Sequence, residues 1–316
     1  MILVVAPDDD DHAAELVPRV SALGGGVVQI DLARIPVETS LELAFASGQP
    51  ERLALLDRGH RIALASCEAV WWRRPARYAA LDAIADPEAR RLAQQEWYAA
   101  FAGLWHALPA RWVNDPVRQD VASRKPFQLA TAARAGLAVP RTLITADPDA
   151  ARAFASTCGG QGKSLDAVVK TLTPVSGRYT HRLRARGLGA LDALRAAPAI
   201  VQEYVDGVDL RVIVVGGSIF AMEVDARRTA HPEDCRLDWE NGRKTARVAV
   251  LPVGVTRGLI AMMDRLGLDY GAFDLRRRNG GEHVFLEVNP AGQWLYVEEA
   301  TGLPITDAVA RLLAGR

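Results

Sequence analysis

The stretch GAFDLRRRNGGEHVFLEVNPAGQW, residues 271–294, decides the fold. Two apolar runs, residues 270–276 and 283–288, flank Asn279-Gly280-Gly281. A glycine-rich break between two such runs predicts a β-hairpin. Side chains alternate along a strand, so Glu287 and Asn289 fall on one face, and the hairpin brings Asp274 alongside them. Two carboxylates and an amide oxygen form a hard-oxygen set of the kind that holds Mg²⁺ against phosphate oxygens. Phe273, Leu275, Phe285, Leu286 and Val288 surround them, and carboxylates buried there without a cation are costly. A solvated hairpin with three polar residues would show the same pattern, so the rest of the chain must decide.

Upstream, residues 210–215 and 219–224 around Gly216-Gly217 predict a second hairpin. Residues 200–205 predict a strand whose Gln202, Glu203, Tyr204 and Val205 could pair with an adenine edge, as could any strand end. Lys170 interrupts the apolar strand 167–172, where it either reaches solvent at an edge or meets a buried anion. Lys125 lies in a predicted helix, 118–135, where a lysine is solvated by default. Residues 139–144 read as a strand, and Asp147-Pro148-Asp149 opens a helix. Residues 256–266 and 305–313 read as helices.

Toward the start of the chain, strands 2–6 and 27–32 flank a helix, 11–23, as a βαβ unit. Gly24-Gly25-Gly26 follow that helix and precede a strand. A phosphate-cradling loop would do the reverse, so these glycines read as a helix stop. Strands at 61–65 and 69–72, an alanine-rich helix at 86–108 and a strand at 112–116 complete an α/β region. The element pattern sets a boundary near residue 120, with 1–117 as an α/β domain.

At about 150 residues per domain, 316 residues predict two or more domains. Hydrophobic residues at 49% and charged residues at 24% are ordinary globular values, which argues against disorder. Lys+Arg and Asp+Glu are 38 each, and this balance argues against a dedicated nucleic-acid partner. Cys67, Cys158 and Cys235 lie far apart without a CxxC, which argues against a disulfide framework or structural zinc and for a reducing compartment. No apolar run approaches the roughly 20 residues that span a bilayer, and the first run is too short for a signal peptide. The expectation is a soluble cytoplasmic protein without a membrane partner.

In order along the chain stand Lys125, Lys170, Gln202-Glu203-Tyr204-Val205, Asp209-Leu210-Arg211, Asp274 and Glu287-Val288-Asn289. This layout, over residues 118–316, resembles the ATP-grasp superfamily, in which two α+β subdomains hold ATP between them; the resemblance implies subdomains at 118–206 and 207–316. The preceding region fits a pre-ATP-grasp domain. Val70-Trp71-Trp72-Arg73-Arg74-Pro75, Arg124-Lys125-Pro126-Phe127-Gln128-Leu129, Gly271-Ala272-Phe273-Asp274 and the tail from Phe285 to Trp294 resemble the graspetide macrocyclases. Those ATP-grasp ligases mature ribosomally made peptides of the microviridin and plesiocin kind.

The resemblance implies ATP and Mg²⁺ as cofactors, with Asp274, Glu287 and Asn289 on the metal. Lys125 and Lys170 would bind the α/β phosphates, and Gln202, Glu203, Tyr204 and Val205 the adenine. Arg211 would lie over the γ-phosphate and the acceptor carboxylate. Asp209 would bind ribose or orient the peptide. The reaction implied is activation of Asp or Glu side chains as acyl phosphates and closure onto Ser/Thr hydroxyls or Lys amines. The rival is a ligase that adds a free amino acid. A precursor peptide is the implied partner, its leader docking near residues 170–197, where Arg182, Arg184 and Arg186 share a strand face and residues 188–196 read as a helix. Related enzymes are often homodimers. One departure stands out: after Asp238-Trp239 the family usually has arginine, and here it is Glu240, with Arg243 or Lys244 as substitute. Arg73 and Arg74 either contact substrate anions or cap a strand end.

Overall fold

The structure is a computed structural model that describes residues 1–75, 77–158, 166–173, 180–183, 185–233 and 235–316. Its contacts divide the chain into two units, Met1–Pro116 with Pro304–Arg316, and Val117–Leu303.

In the first unit, β1 (Ile2–Val5), α1 (Asp11–Ala22) and β2 (Val27–Ile30) form the expected βαβ unit. Asp10 caps α1 by accepting from the Ala13 amide at 2.9 Å. Residues 39–63 hold an antiparallel sheet of β3 (Thr39–Ala44), β4 (Arg52–Asp57) and β5 (His60–Ala63). Sequence reading finds only the last of the three. Then come β6 (Ala69–Trp72), α2 (Pro87–Ala107) and β7 (Arg111–Val113). The parallel sheet runs β2-β1-β6-β7. Its Leu3, Val5, Ile30 and Val70 pack with Phe101, Leu104 and Trp105 of α2. Trp72 meets Trp105 edge-on at 5.6 Å.

The second unit opens with α3 (Pro116–Ala122) and α4 (Lys125–Arg134). One helix was expected over 118–135. Pro126 explains the break, since its ring would strike the carbonyl of Ala122 in a continuous helix, whereas it is tolerated in the first turn of a new one. Arg124 is accordingly extended and caps α4. Next are β8 (Thr142–Thr145), α5 (Pro148–Ser156), β9 (Ala167–Lys170) and β10 (His181–Leu183). The segment expected as a helix at 188–196 is a 3₁₀ helix, Ala185–Arg195. With β11 (Ala199–Glu203) the strands form an antiparallel sheet in the order β10-β9-β11-β8.

A second antiparallel sheet is built from β12 (Val208–Val215), β13 (Ser218–Val224), β14 (Arg247–Val248), β15 (Tyr270–Arg277) and β16 (His283–Asn289). Its order is β14-β13-β12-β15-β16. Helix α6 (Trp239–Arg243) precedes β14, α7 (Val253–Leu266) follows it, and α8 (Leu295–Thr301) follows β16. Val212, Val214, Phe273, Leu275 and Phe285 on one face pack against Leu259, Met262 and Met263 of α7. The opposite face carries Asp209, Arg211, Asp274 and Arg276 beside the apolar Ile213, Met222 and Val224. The final helix, α9 (Ile305–Ala314), was expected in the C-terminal subdomain, and its contacts put it in the first unit. It packs against α1, where Arg19 Nη1 reaches Asp307 Oδ1 at 2.7 Å. Among the described residues, no helix is long and apolar enough to cross a membrane.

Candidate functional site

The site grows from the pairing of three strands. Arg211 on β12 lies directly opposite Asp274 on β15, and Asp274 lies opposite Glu287 on β16. One row across the sheet therefore carries a cation and two carboxylates. In the neighbouring row Asp209 faces Arg276. Asn289 pairs with Ala272, two residues along from Glu287.

Between Asp274 and Leu275 the register shifts by one, leaving Leu286 as the extra residue of β16. The shift matters because strict alternation would put Glu287 on the same face as Phe285, inside the core. With it, Phe285 and Val288 join the core while Leu286 and Glu287 both line the cavity. Re-aiming a side chain beside a site is a common use of a β-bulge.

Helix α4 supplies the next cation. Lys125 is its first residue, and its Nζ pairs with Glu287 Oε2. The helix is tied to the edge strand by buried Gln128, whose Nε2 donates to Val288 O at 2.8 Å and whose Oε1 accepts from Val288 N at 3.1 Å. From the other sheet, Lys170 ends β9. Burial pushes its ammonium down to about 8, Lys125 and Arg276 adding to the fall and Glu287 and Asp274 opposing it.

Arg211 is held on two sides. Its Nη1 donates to Asp274 Oδ1 at 2.8 Å and its Nη2 to the Gln293 carbonyl at 3.0 Å. Its Nε is buried without a partner, a costly state that an incoming oxygen would relieve. Burial pushes the guanidinium down, but Asp274 beside it leaves it above its ordinary value. Gly292 packs beneath this arginine. A Cβ there would sit 2.3 Å from Ala272 Cβ and 2.7 Å from Arg211 Nη2. Tyr270 Oη fixes the same turn by donating to Gly292 O at 2.8 Å.

These groups line one cavity of about 550 Å³. Of the sequence-predicted residues, Lys125, Lys170, Asp209, Arg211, Asp274, Glu287 and Asn289 line it. Gln202, Glu203, Tyr204 and Val205 do not. Gln202 Nε2 donates to Thr142 Oγ1 at 2.8 Å, and Glu203 is paired with Arg278 at 2.6 Å. Glu240 is exposed; Arg243 meets Glu299 at 3.1 Å and Lys244 donates to Asn241 at 2.9 Å, so neither basic candidate enters the cavity. Arg73 is buried, pairs with Asp10 and lies over Trp71 at 5.9 Å. Residues 174–179 and 184 of the expected leader segment, and the side chain of Arg186, lie outside the described residues.

The oxygen donors fit a magnesium ion in kind: two carboxylates on adjacent strands and an amide. Among the described residues, no group of three His, Cys, Asp or Glu could hold a metal, so the third donor would be Asn289. Its Oδ1 also accepts from Ala291 N at 3.0 Å.

Sequence reading missed Arg276. It is buried at 4% exposure among apolar strand residues, two positions from Asp274 and hence on the same face. That spacing was the available signal; its neighbours Arg277 and Arg278 masked it as a charged strand end.

Residues 122–313 match the family model for the RimK-like ATP-grasp domain, and residues 1–120 match that for the MvdD pre-ATP grasp domain. The chain belongs to the RimK-like ATP-grasp family. Within that class it is similar to the macrocyclase MdnB from Microcystis aeruginosa MRC, at 29% identity and a TM-score of 0.80, over 99% of this chain and 98% of that one. It is also similar to the ATP-grasp ligase PsnB complexed with minimal precursor, Mg and ADP, at 26% identity and a TM-score of 0.81, over 99% and 96%. A RiPP-associated ATP-grasp ligase from Chryseobacterium gregarium, in complex with ADP and a leader and core peptide, shares the fold at 23% identity and a TM-score of 0.88, over 99% and 96%. No curated protein matches the chain.

Proposed function

We propose that the protein is an ATP-dependent macrocyclase of a ribosomally made precursor peptide. A side-chain carboxylate has no usable leaving group in water. Phosphorylated with the γ-phosphoryl of ATP it becomes an acyl phosphate, and a Ser/Thr hydroxyl or Lys amine then displaces phosphate to close the ring. Alignment and charge neutralisation are the main catalytic tasks in such a transfer.

In this reading Asp274, Glu287 and Asn289 hold Mg²⁺, which would neutralise charge on the transferring phosphoryl oxygens. Lys125 and Lys170 bind the α/β phosphates. Gln202, Glu203, Tyr204 and Val205 hold the adenine, chiefly through their backbone, since the Gln202 and Glu203 side chains are already engaged. Arg211 orients the acceptor carboxylate, and its planar fork suits a carboxylate and a phosphoryl group alike. Asp209 orients the peptide or the ribose.

The observation that carries the reading is likeness along the whole chain. The match to MdnB and PsnB takes in the N-terminal unit as well as the ATP-grasp part, at 29% and 26% identity. The precursor is the expected partner, with its leader near residues 170–197.

The test is incubation with Mg²⁺, ATP and a candidate precursor peptide, with nucleotide analysis and mass spectrometry. ADP, phosphate and a peptide lighter by one water per ring are expected. AMP with pyrophosphate would overturn the acyl-phosphate route. A peptide heavier by one amino-acid residue would identify a tagging ligase instead.

A further inference from the structure

One guanidinium joins three segments of the second unit. Arg276 Nε pairs with Asp209 on β12, its Nη1 donates to the Val205 carbonyl at 2.8 Å, and its Nη2 donates to the Pro232 carbonyl. The Pro232 carbonyl also accepts from Tyr204 Oη at 3.2 Å. The Tyr204 ring lies 5.2 Å from the Arg276 guanidinium and 4.1 Å from that of Arg182. Tyr204 and Val205 follow β11 directly and complete the segment expected to hold adenine. Pro232 opens the stretch that lends Glu233, Leu237 and Trp239 to the cavity. Trp239 is braced in turn by Tyr296, edge-on at 5.1 Å.

We propose that Arg276 is a positioning residue that couples the nucleotide strand to the cavity wall at residues 232–239, so that a nucleotide seated on Gln202–Val205 also sets Pro232, Glu233 and Trp239. The proposal rests on the ATP-dependent reading above. The physical reason is the cost of breaking the junction piecemeal. A buried guanidinium N–H that loses its carbonyl is left unsatisfied at a cost, so displacement of one segment is passed through the guanidinium to the others. Tyr204 reinforces the same carbonyl from the nucleotide side, so displacement of the strand end pulls on the wall through two donors. Asp209 is fixed by the third arm, which places this carboxylate of the cavity lining under the same control.

Hydrogen–deuterium exchange with and without saturating Mg·ADP tests this on the full chain. In the wild type, Mg·ADP should slow exchange both at residues 199–205 and at residues 229–233 and 237–246. In Arg276→Gln, protection at 199–205 should persist while the nucleotide-dependent protection at 229–233 and 237–246 is lost. Tyr204→Phe removes one of the two donors to Pro232 and should give a smaller protection of that wall, which keeps the test decisive if Arg276→Gln does not fold. A purely structural arginine would raise exchange equally with and without nucleotide, and that result overturns the coupling. So does wild-type protection confined to 199–205. No protection anywhere with Mg·ADP would instead overturn the ATP-dependent reading on which the coupling rests.

Discussion

Arg211 is the side chain whose surroundings are most specific. Two of its donors are used by Asp274 and Gln293, and Gly292 leaves room for the guanidinium where any Cβ would not. Lysine at this position would keep the charge but lose the fork that meets Asp274 and Gln293 while leaving Nε for substrate. Arg211→Lys should therefore bind ATP and peptide nearly as the wild type does and cyclise at least about tenfold more slowly, roughly 1.4 kcal/mol of barrier. Affinities measured beside the rate of water loss check this. A lower melting temperature with an unchanged rate would make Arg211 structural. Lys170 offers a pH test. Its cation is favoured below about 8 and lost above it, whereas an ordinary lysine stays charged to near pH 10. Since kcat/KM reports the free enzyme, kcat/KM for ATP should fall as pH rises through about 8. A profile flat to pH 10 would mean Lys170 does not bind phosphate.

Secondary-structure elements divide into those whose sequence states their geometry and those whose partner decides it. The hairpin of β15 and β16 was legible, because Asn279-Gly280-Gly281 stands between two apolar runs and Glu287 and Asn289 fall at alternate positions. The register shift at Leu286 was not, because an extra residue leaves no compositional mark until the facing strand is known. Lys125 was legible as a helical lysine, yet its place at the start of α4 depends on Pro126 breaking the helix. Gln128 was quoted only as part of a motif, and its role follows from tertiary structure. It completes the hydrogen bonding of Val288 on the edge strand and sits one turn after Lys125. Gln128→Ala would leave the buried Val288 amide and carbonyl unpaired. A cost of about 2 kcal/mol is expected, lowering the melting temperature by roughly 4–8 °C. Because α4 also carries Lys125, KM for ATP should rise in the same variant. Wild-type stability and KM together would show that β16 is held by its strand partner alone.

At the scale of the molecule, the chain begins and ends in the same unit. The last helix was legible from its own apolar spacing, with Ile305, Val309 and Leu313 on one face, but spacing does not say which layer that face covers. Here it covers α1 and helps close the unit that begins at Met1. Leu313 is 1% exposed, its carbonyl accepts from Arg111 Nη2 at 2.8 Å, and Arg19 pairs with Asp307 along the same contact. The salt bridge is partly exposed and contributes little; the apolar face should dominate. Leu313→Ala removes buried methyl groups from a packed site, a change that costs about 2–5 kcal/mol. Asp307→Ala should cost under about 1 kcal/mol. The two variants therefore separate packing from charge, and tryptophan fluorescence reads the outcome, since Trp71, Trp72, Trp97, Trp105 and Trp112 all belong to this unit. Denaturant unfolding should show the fluorescence midpoint falling clearly for Leu313→Ala and barely for Asp307→Ala. Equal midpoints for Leu313→Ala and the wild type would mean that the terminal helix is an appendage rather than part of the first unit's core.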